Sequence, residues 1–234
     1  MSALADRTVL VTGASSGIGR ALALALVAQG AQVIASARSS DKLASLAAEA
    51  GGRLTTVVAD VSDAAAIQRL AESAGAVDAV VNNAGAGRVE PFLASDPTAW
   101  RATLDTNLVG ALLVTRAFLP AMLAAGRGVI VNVGSASASG WPYLTLYAAS
   151  KAALHAASLS LDRELAPQGV RVLHVEVGPT AGTGFGDHSD PQHIPAARDA
   201  WTALGIPWAV DVCLPHESAA TILSAIEQGL AGRA

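Results

Sequence analysis

Thr8-Val9-Leu10-Val11-Thr12-Gly13-Ala14-Ser15-Ser16-Gly17-Ile18-Gly19 is the stretch whose reading decides the fold. Thr8 to Thr12 is rich in β-branched residues and reads as a strand. Gly17 to Gln29 reads as a helix, with Gly30 as its C-terminal cap. Between them, Gly13, Gly17 and Gly19 permit a tight turn and let backbone approach a pyrophosphate closely. The helix start adds unpaired N–H groups and a partial positive charge. Strand, Gly-rich turn and helix in this order separate a nucleotide-binding turn from a merely structural one.

Outward from this turn, short β-branched runs alternate with longer Ala/Leu-rich stretches. Strands are expected at Gln32–Ser36, Leu54–Val58, Asp78–Val81, Val129–Val133 and Arg171–Val177. Helices are expected at Asp41–Ala50, Asp63–Ser73, Thr98–Ala125 (kinked near Gly110 or Pro120), Tyr147–Ala166 and Pro215–Gln228. Nearly continuous apolar strands such as Val129-Ile130-Val131 imply burial on both faces. The expectation is an α/β fold: a three-layer α/β/α, Rossmann-type doubly wound parallel sheet of about six core strands. No composition break marks a second domain, so residues 1–234 are read as one. Residues 178–207, rich in Gly, Pro, Asp and His, have no clear period and read as a lid or a partly disordered segment.

Composition narrows the function. The chain has 234 residues, 15 Lys plus Arg against 19 Asp plus Glu, and a formal net charge of −4. That argues against nucleic acid as a partner, which calls for a basic face. Hydrophobic residues make up 52% and charged ones 15%, so the chain can bury enough surface to offset its ordering entropy. Cys213 is the single cysteine, which excludes an intramolecular disulfide framework and a thiolate-clustered zinc site. The five histidines show no paired metal spacing, and no metal is expected. No signal-peptide pattern or membrane-length run stands at the start, so a cytoplasmic location without a membrane partner is expected.

Further motifs follow the turn. The second strand ends Ser36-Ala37-Arg38, with no acid to bind both ribose hydroxyls. An uncharged residue beside a guanidinium suits a 2′-phosphate, which favours NADP(H), with NAD(H) the other choice. Ala84 and Gly85, in Asn82-Asn83-Ala84-Gly85, are small enough to let backbone pass close to a ribose. Tyr147 and Lys151, four apart on a helix, share one face about 5–6 Å apart at Cβ. An ammonium near a phenol is expected to lower its pKa of about 10 towards working pH.

The Gly13–Gly19 turn resembles the TGxxxGxG turn of the short-chain dehydrogenase/reductase family. Tyr147-Ala148-Ala149-Ser150-Lys151 resembles that family's YxASK segment, and the motifs fall in its order. The resemblance covers about Arg7 to Val177, and the last helix loosely. It implies hydride transfer between a nicotinamide and a small-molecule carbonyl or secondary alcohol. Tyr147 would be the general acid/base, Ser135 the polarising hydroxyl, Lys151 the partner of the tyrosine and ribose, and Asn107 the holder of a relay water. A helix-kink residue satisfied by backbone is the other reading of Asn107. The implied cofactor contacts are Gly13, Ser15, Ser16, Gly17, Ile18, Gly19, Arg38, Asp60, Val61, Asn83, Ala84, Gly85, Tyr147, Lys151, Gly178, Pro179, Thr180 and Thr183. Asp60 also reads as a simple turn aspartate.

Two departures stand out. Ser135 precedes Tyr147 by twelve positions, where the family places about thirteen, and the thirteenth is Gly134, without a side chain. Ser135 is preferred because the strand end fixes it, with Ser137 second and Ser139 too far along. The family's Pro-Gly after the sixth strand is inverted here to Gly178-Pro179, with Thr183 at the offset of the nicotinamide contact. Trp141, Tyr143, Phe185, Trp201, Leu204 and Trp208 cluster after Ser135 and in the lid. They suggest an apolar or ring-containing substrate, or they anchor loops to the core. The alternatives are a catalytically silent nucleotide-binding regulator and an isomerase or dehydratase on the same fold. A homodimer or homotetramer through the helices of Asn107 and Tyr147 is also expected.

Overall fold

The computed structural model describes residues 3–209 and 212–232; residues 1, 2, 210, 211, 233 and 234 of the expected 1–234 domain lie outside them. In chain order the strands are β1 (Thr8–Thr12), β2 (Gln32–Ala37), β3 (Leu54–Val58), β4 (Ala79–Asn82), β5 (Gly128–Val133) and β6 (Val170–Val175). The helices are α1 (Gly17–Ala28), α2 (Ser40–Ala50), α3 (Ala64–Ala74), α4 (Pro97–Leu104), α5 (Gly110–Ala124), α6 (Thr145–Leu165), α7 (Ile194–Ala203) and α8 (Pro215–Ala231). All five strand pairings are parallel, in the order β3-β2-β1-β4-β5-β6. That is the Rossmann-type doubly wound sheet, and the order reverses between β1 and β4, where such sheets open a crevice.

The central strands β4 and β5 are buried at every residue, as their apolar runs require. One core layer joins Val9, Val11, Val33 and Val131 to Leu22 and Leu26 of α1 and Ile222 and Ile226 of α8. The other joins Leu10, Val80 and Ile130 to Ile67 and Leu70 of α3 and Val114, Phe118 and Met122 of α5. Local chemistry sets the helix starts. Asp63 accepts from the N–H groups of Ala65 and Ala66, and Asp96 from that of Thr98, ahead of Pro97.

The long helix expected at Thr98–Ala125 is two helices. A π turn at Asp105–Val109 separates α4 from α5, so the break falls beside Gly110 and not at Pro120, which lies inside α5. Gly110 allows α5 to abut the turn after β3: a Cβ there would lie 2.8 Å from Val61 Cγ2 and 3.0 Å from Val61 O. The stretch Pro97–Ala124 is long and apolar enough to cross a membrane by length and composition. Its apolar stripe is packed in the second core layer.

The segment 178–207 is more ordered than its composition suggested. A 3-10 turn at Pro191–His193 leads into α7. Ile194, Ala197 and Trp201 recur at helical spacing and pack with Val89, Trp141 and Leu144 in a third cluster, above the sheet's carboxyl edge.

A buried polar chain ties the second core layer together. Asn82 Nδ2 donates to Asn132 Oδ1 at 2.8 Å and to Thr115 Oγ1 at 3.1 Å. Asn132 Nδ2 donates to Ser158 Oγ at 2.8 Å, which donates to Leu154 O. Asn132→Ala removes a partner from Asn82 and from Ser158. The expected loss is about 1–3 kcal/mol of stability by urea unfolding; a change under about 0.5 kcal/mol, typical of surface sites, would count against the chain of bonds.

Candidate active site

The cleft begins at the turn after β1. Gly13 and Gly17 have φ of +66° and +53°, left-handed backbone that favours glycine. A Cβ on Gly13 would lie 2.8 Å from Ala84 Cα, and one on Gly19 would lie 2.5 Å from Gly13 O. Thr12 Oγ1 donates to Val81 O (3.3 Å) and accepts from the N–H groups of Asn83 and Ala84 (3.1 Å each). Asn83 Nδ2 returns to Thr12 O (2.9 Å) and Gly13 O (3.3 Å). The turn is thus braced against the end of β4. Ser16 stands before α1 but makes no side-chain cap bond, which leaves N–H groups of the first helical turn open.

From this turn runs an open cleft of about 1110 Å³, lined by residues from Gly13 and Ser15–Ile18 to Tyr147 and Lys151. Ala37, Arg38, Asp60, Val61, Asn83, Ala84, Gly85, Ser135, Ser137, Gly178, Pro179, Thr180 and Thr183 also line it. Gly19 does not, and serves as close packing behind the turn. Such a shape fits a dinucleotide: glycines without room for a Cβ under an open helix start, and cations at the far end. Arg38 there is largely exposed, 4.0 Å from Asp60. Asp60 Oδ1 accepts from Ser62 N (2.9 Å) and Ser62 Oγ (2.7 Å), so the turn-aspartate reading holds as well. Burial raises its pKa, but the Ser62 bonds and Arg38 outweigh that and hold it low. The sequence reading missed Lys42, a second cation lining this end. Its signal was its place four residues after Arg38 in Arg38-Ser39-Ser40-Asp41-Lys42.

At the other end, β5 delivers Ser135 and α6 delivers Tyr147 and Lys151. Ser135 Oγ lies 3.0 Å from Ser137 Oγ, and both serines line the cleft with Tyr147. Of the two, the Ser135 hydroxyl is the one whose influence on the phenol lowers its pKa. Gly134, at the family's thirteenth position, has no room for a side chain. A Cβ at 134 would run into the His174 ring, with Cε1 only 2.5 Å away.

The expected effect of lysine on tyrosine is not what the structure holds. Lys151 Nζ sits 5.8 Å from the centre of the Tyr147 ring and donates to Val133 O at 2.7 Å. Burial pushes Tyr147 above its ordinary pKa, and the opposing influence of the Ser135 hydroxyl does not reverse it. Burial pulls Lys151 down to about 8. Spacing along a helix reports neighbours, not desolvation, and desolvation decides both groups here. At neutral pH Tyr147 is a phenol able to donate a proton, and Lys151 is mostly charged.

Asn107 sits in the π turn. Its Nδ2 donates to Ala86 O and Ser150 Oγ (2.9 Å each), and its Oδ1 accepts from Ala86 N (2.8 Å). Both Nδ2 protons and one Oδ1 lone pair are engaged, two of the three bonds with the Ala86 backbone, so the side chain positions the Gly85–Ala86 segment against α6. Thr183 lines the cleft next to the phosphate turn, where a Cβ on Gly17 would lie 3.1 Å from its Cγ2. After Gly178-Pro179 the chain pairs with a later segment, Cys213 N donating to Pro179 O and Ala181 N to Cys213 O (2.9 Å each). Thr180 Oγ1 meets Ser218 Oγ of α8 at 2.8 Å. The aromatics divide. Trp141 and Trp201 are buried, and Trp201 Nε1 donates to Pro142 O at 2.7 Å, so they anchor loops. Phe185 and Trp208 line the cleft beside these two indoles, which border it as well, and Leu204 faces outward.

A six-stranded Rossmann-type sheet with this cleft and a Ser-Tyr-Lys end defines a dinucleotide-dependent oxidoreductase. A family model described as short chain dehydrogenase matches residues 7–193. The chain is 40% identical over 184 residues to the NADP-dependent 3-hydroxy acid dehydrogenase YdfG of Salmonella typhi, covering 76% of this chain and 74% of that one. Among solved structures it matches a short-chain dehydrogenase from Streptomyces avermitilis with a TM-score of 0.83 and 34% identity over 97% of this chain and 85% of that one. It matches the closed form of a serine dehydrogenase complexed with NADP+ with a TM-score of 0.80 and 32% identity, over 93% and 88%. The chain belongs to the short-chain dehydrogenase/reductase family.

The buried lysine makes stability depend on pH. Its folded pKa of about 8 lies below the value of about 10.4 of an unfolded lysine. Its contribution is therefore fully present above about pH 10.4 and is lost as pH falls to about 8. Lys151→Met is expected to gain on the native protein over that window, by on the order of 1–3 kcal/mol, and to keep the gain below it. Chemical unfolding of both proteins from pH 7 to 10.5 measures this; a constant difference would argue against burial as the cause.

Proposed function

We propose that this chain is an NADP(H)-dependent oxidoreductase that interconverts a carbonyl and a secondary alcohol, with Tyr147 as the general acid/base. The single observation that carries it is the meeting of Ser135, Tyr147 and Lys151 at one end of a cleft whose other end has Arg38 and Lys42 and no acid at Ala37. Gly13 and Ser15–Ile18 would hold the pyrophosphate, Arg38 and Lys42 the 2′-phosphate, and Asn83–Gly85 would border the ribose. The bound cofactor supplies or accepts the hydride. In reduction Tyr147 gives its proton to the substrate oxygen, while Ser135 donates a hydrogen bond to that oxygen. Lys151, protonated at neutral pH, places positive charge beneath the tyrosine as the proton leaves.

The names of the relatives make small 3-hydroxy acids and their 3-oxo counterparts the first compounds to assay. Trp141, Trp201 and Trp208 in the cleft lining favour an apolar or ring-bearing substrate. Residues 178–190 with α7 form the substrate lid in this reading. Self-association is proposed through the outer face of α4–α6, where Leu159 of α6 and Val109 of the π turn stay exposed.

A panel of ketones, 3-oxo acids and secondary alcohols, followed by NADPH and NADH absorbance, tests the reading. Stoichiometric NADPH loss with substrate is expected; an isomerase would recycle its cofactor. Tyr147→Phe should lower kcat by about 100-fold or more, the usual worth of a positioned proton donor, with NADPH affinity kept. Retained turnover in that variant would remove Tyr147 from the chemistry. Arg38→Asp should lower kcat/KM with NADPH by roughly 10- to 100-fold, the worth of a charge-assisted bond, and raise relative use of NADH. Equal kinetics with both cofactors before and after would exclude Arg38 as the 2′-phosphate ligand.

A further inference from the structure

Phe185 belongs to the loop between β6 and α7, and no motif singled it out as a contact of the reacting groups. Its ring lies on Tyr147, centres 4.7 Å apart and tilted by 59°. The seat for both rings is Gly87. A Cβ there would lie 2.8 Å from Tyr147 Cδ2 and 3.1 Å from Phe185 Cζ, and closer still to Phe185 Cε2. Gly87 is not in a left-handed conformation, so what the position requires is empty space for a ring. The loop is pinned on both sides of Phe185. Thr183 rests on Gly17, and Ser189 Oγ accepts from Val89 N at 2.8 Å. Phe185 is thus a fixed wall of the cleft beside Tyr147, still 41% exposed towards it and solvent.

We propose that Phe185, seated on Gly87, is a specificity-determining residue that limits the bulk of the substituent on the carbonyl carbon presented to Tyr147. This rests on the oxidoreductase reading above. A substrate oxygen within reach of Tyr147 and Ser135 brings its carbon substituents against the walls next to the phenol. On one side that wall is the Phe185 ring. One methylene in such a pocket is worth about 10- to 200-fold in discrimination, so replacing the ring changes the ranking of substrates more than the cofactor site.

The test compares ethyl 3-oxobutanoate with ethyl 3-oxo-3-phenylpropanoate in wild type, Phe185→Ala and Phe185→Trp, with NADPH. Each ratio of kcat/KM, phenyl over methyl, is read beside the NADPH Kd from fluorescence titration. Phe185→Ala is expected to raise the ratio at least about 10-fold and Phe185→Trp to lower it, with the Kd within twofold of wild type in both. Active proteins whose ratio stays within twofold of wild type overturn the role of Phe185 and leave the oxidoreductase reading standing. NADPH binding without turnover of either ketone, or of the wider panel, in all three proteins overturns both. Since Phe185 is partly exposed, loss of folding is not expected, and a retained NADPH Kd verifies it.

Discussion

The hydroxyl of Thr12 is the smallest part on which the rest of the site depends. It donates to the carbonyl of Val81 and receives the N–H groups of Asn83 and Ala84. The ends of β1 and β4 diverge at this point because the strand order reverses. Backbone groups there have no sheet neighbour, and left buried they would be costly. One hydroxyl, with the Asn83 amide, satisfies them and locks the phosphate turn to the segment that leads towards Gly87. The distance between the two ends of the cleft follows from this junction.

Rigidity at the junction contrasts with electrostatic tension at the other end. Lys151 is a buried cation whose hydrogen-bond acceptor is a neutral carbonyl, that of Val133, and no carboxylate pairs with it among the described residues. Tyr147 is a phenol with its ionised form disfavoured. Burial moves the pKa of both groups away from its ordinary value, which is common where catalysis needs a group poised to change charge. The polar chain from Asn82 through Asn132 to Ser158 supports these residues from below, since it holds α6 against β4 and β5.

Much of this was legible in the chain itself. The six strands follow from β-branched apolar runs, and the cleft's glycines follow from their place between strand and helix. The place of Ser135 just past β5 was readable from the apolar run that ends at Val133, whereas His174 against Gly134 was not. Other features were hidden because they are tertiary. The pKa directions of Tyr147 and Lys151 depend on burial, which a four-residue spacing does not contain. Thr183 lies over Gly17 because of a loop path set by pairing with Cys213, more than thirty residues away in the chain. Helix α7 had its Ile194, Ala197 and Trp201 stripe in view, but Pro and charged neighbours in so short a segment obscured it. Gly87 carries no sequence signal of the two rings packed against it.

The π turn at Asp105–Val109 has a wider effect than the hydrogen bonds of Asn107. One additional residue per turn rotates everything downstream by roughly 100° about the axis. The two halves of a continuous rod thereby address different clients: α4 looks to the neighbouring helix α6, while α5 turns its greasy side to the strands. Wound without that irregularity, the same residues would aim their inward stripe past the sheet, so a local defect in winding is what lets one long rod meet both a helix and the strands.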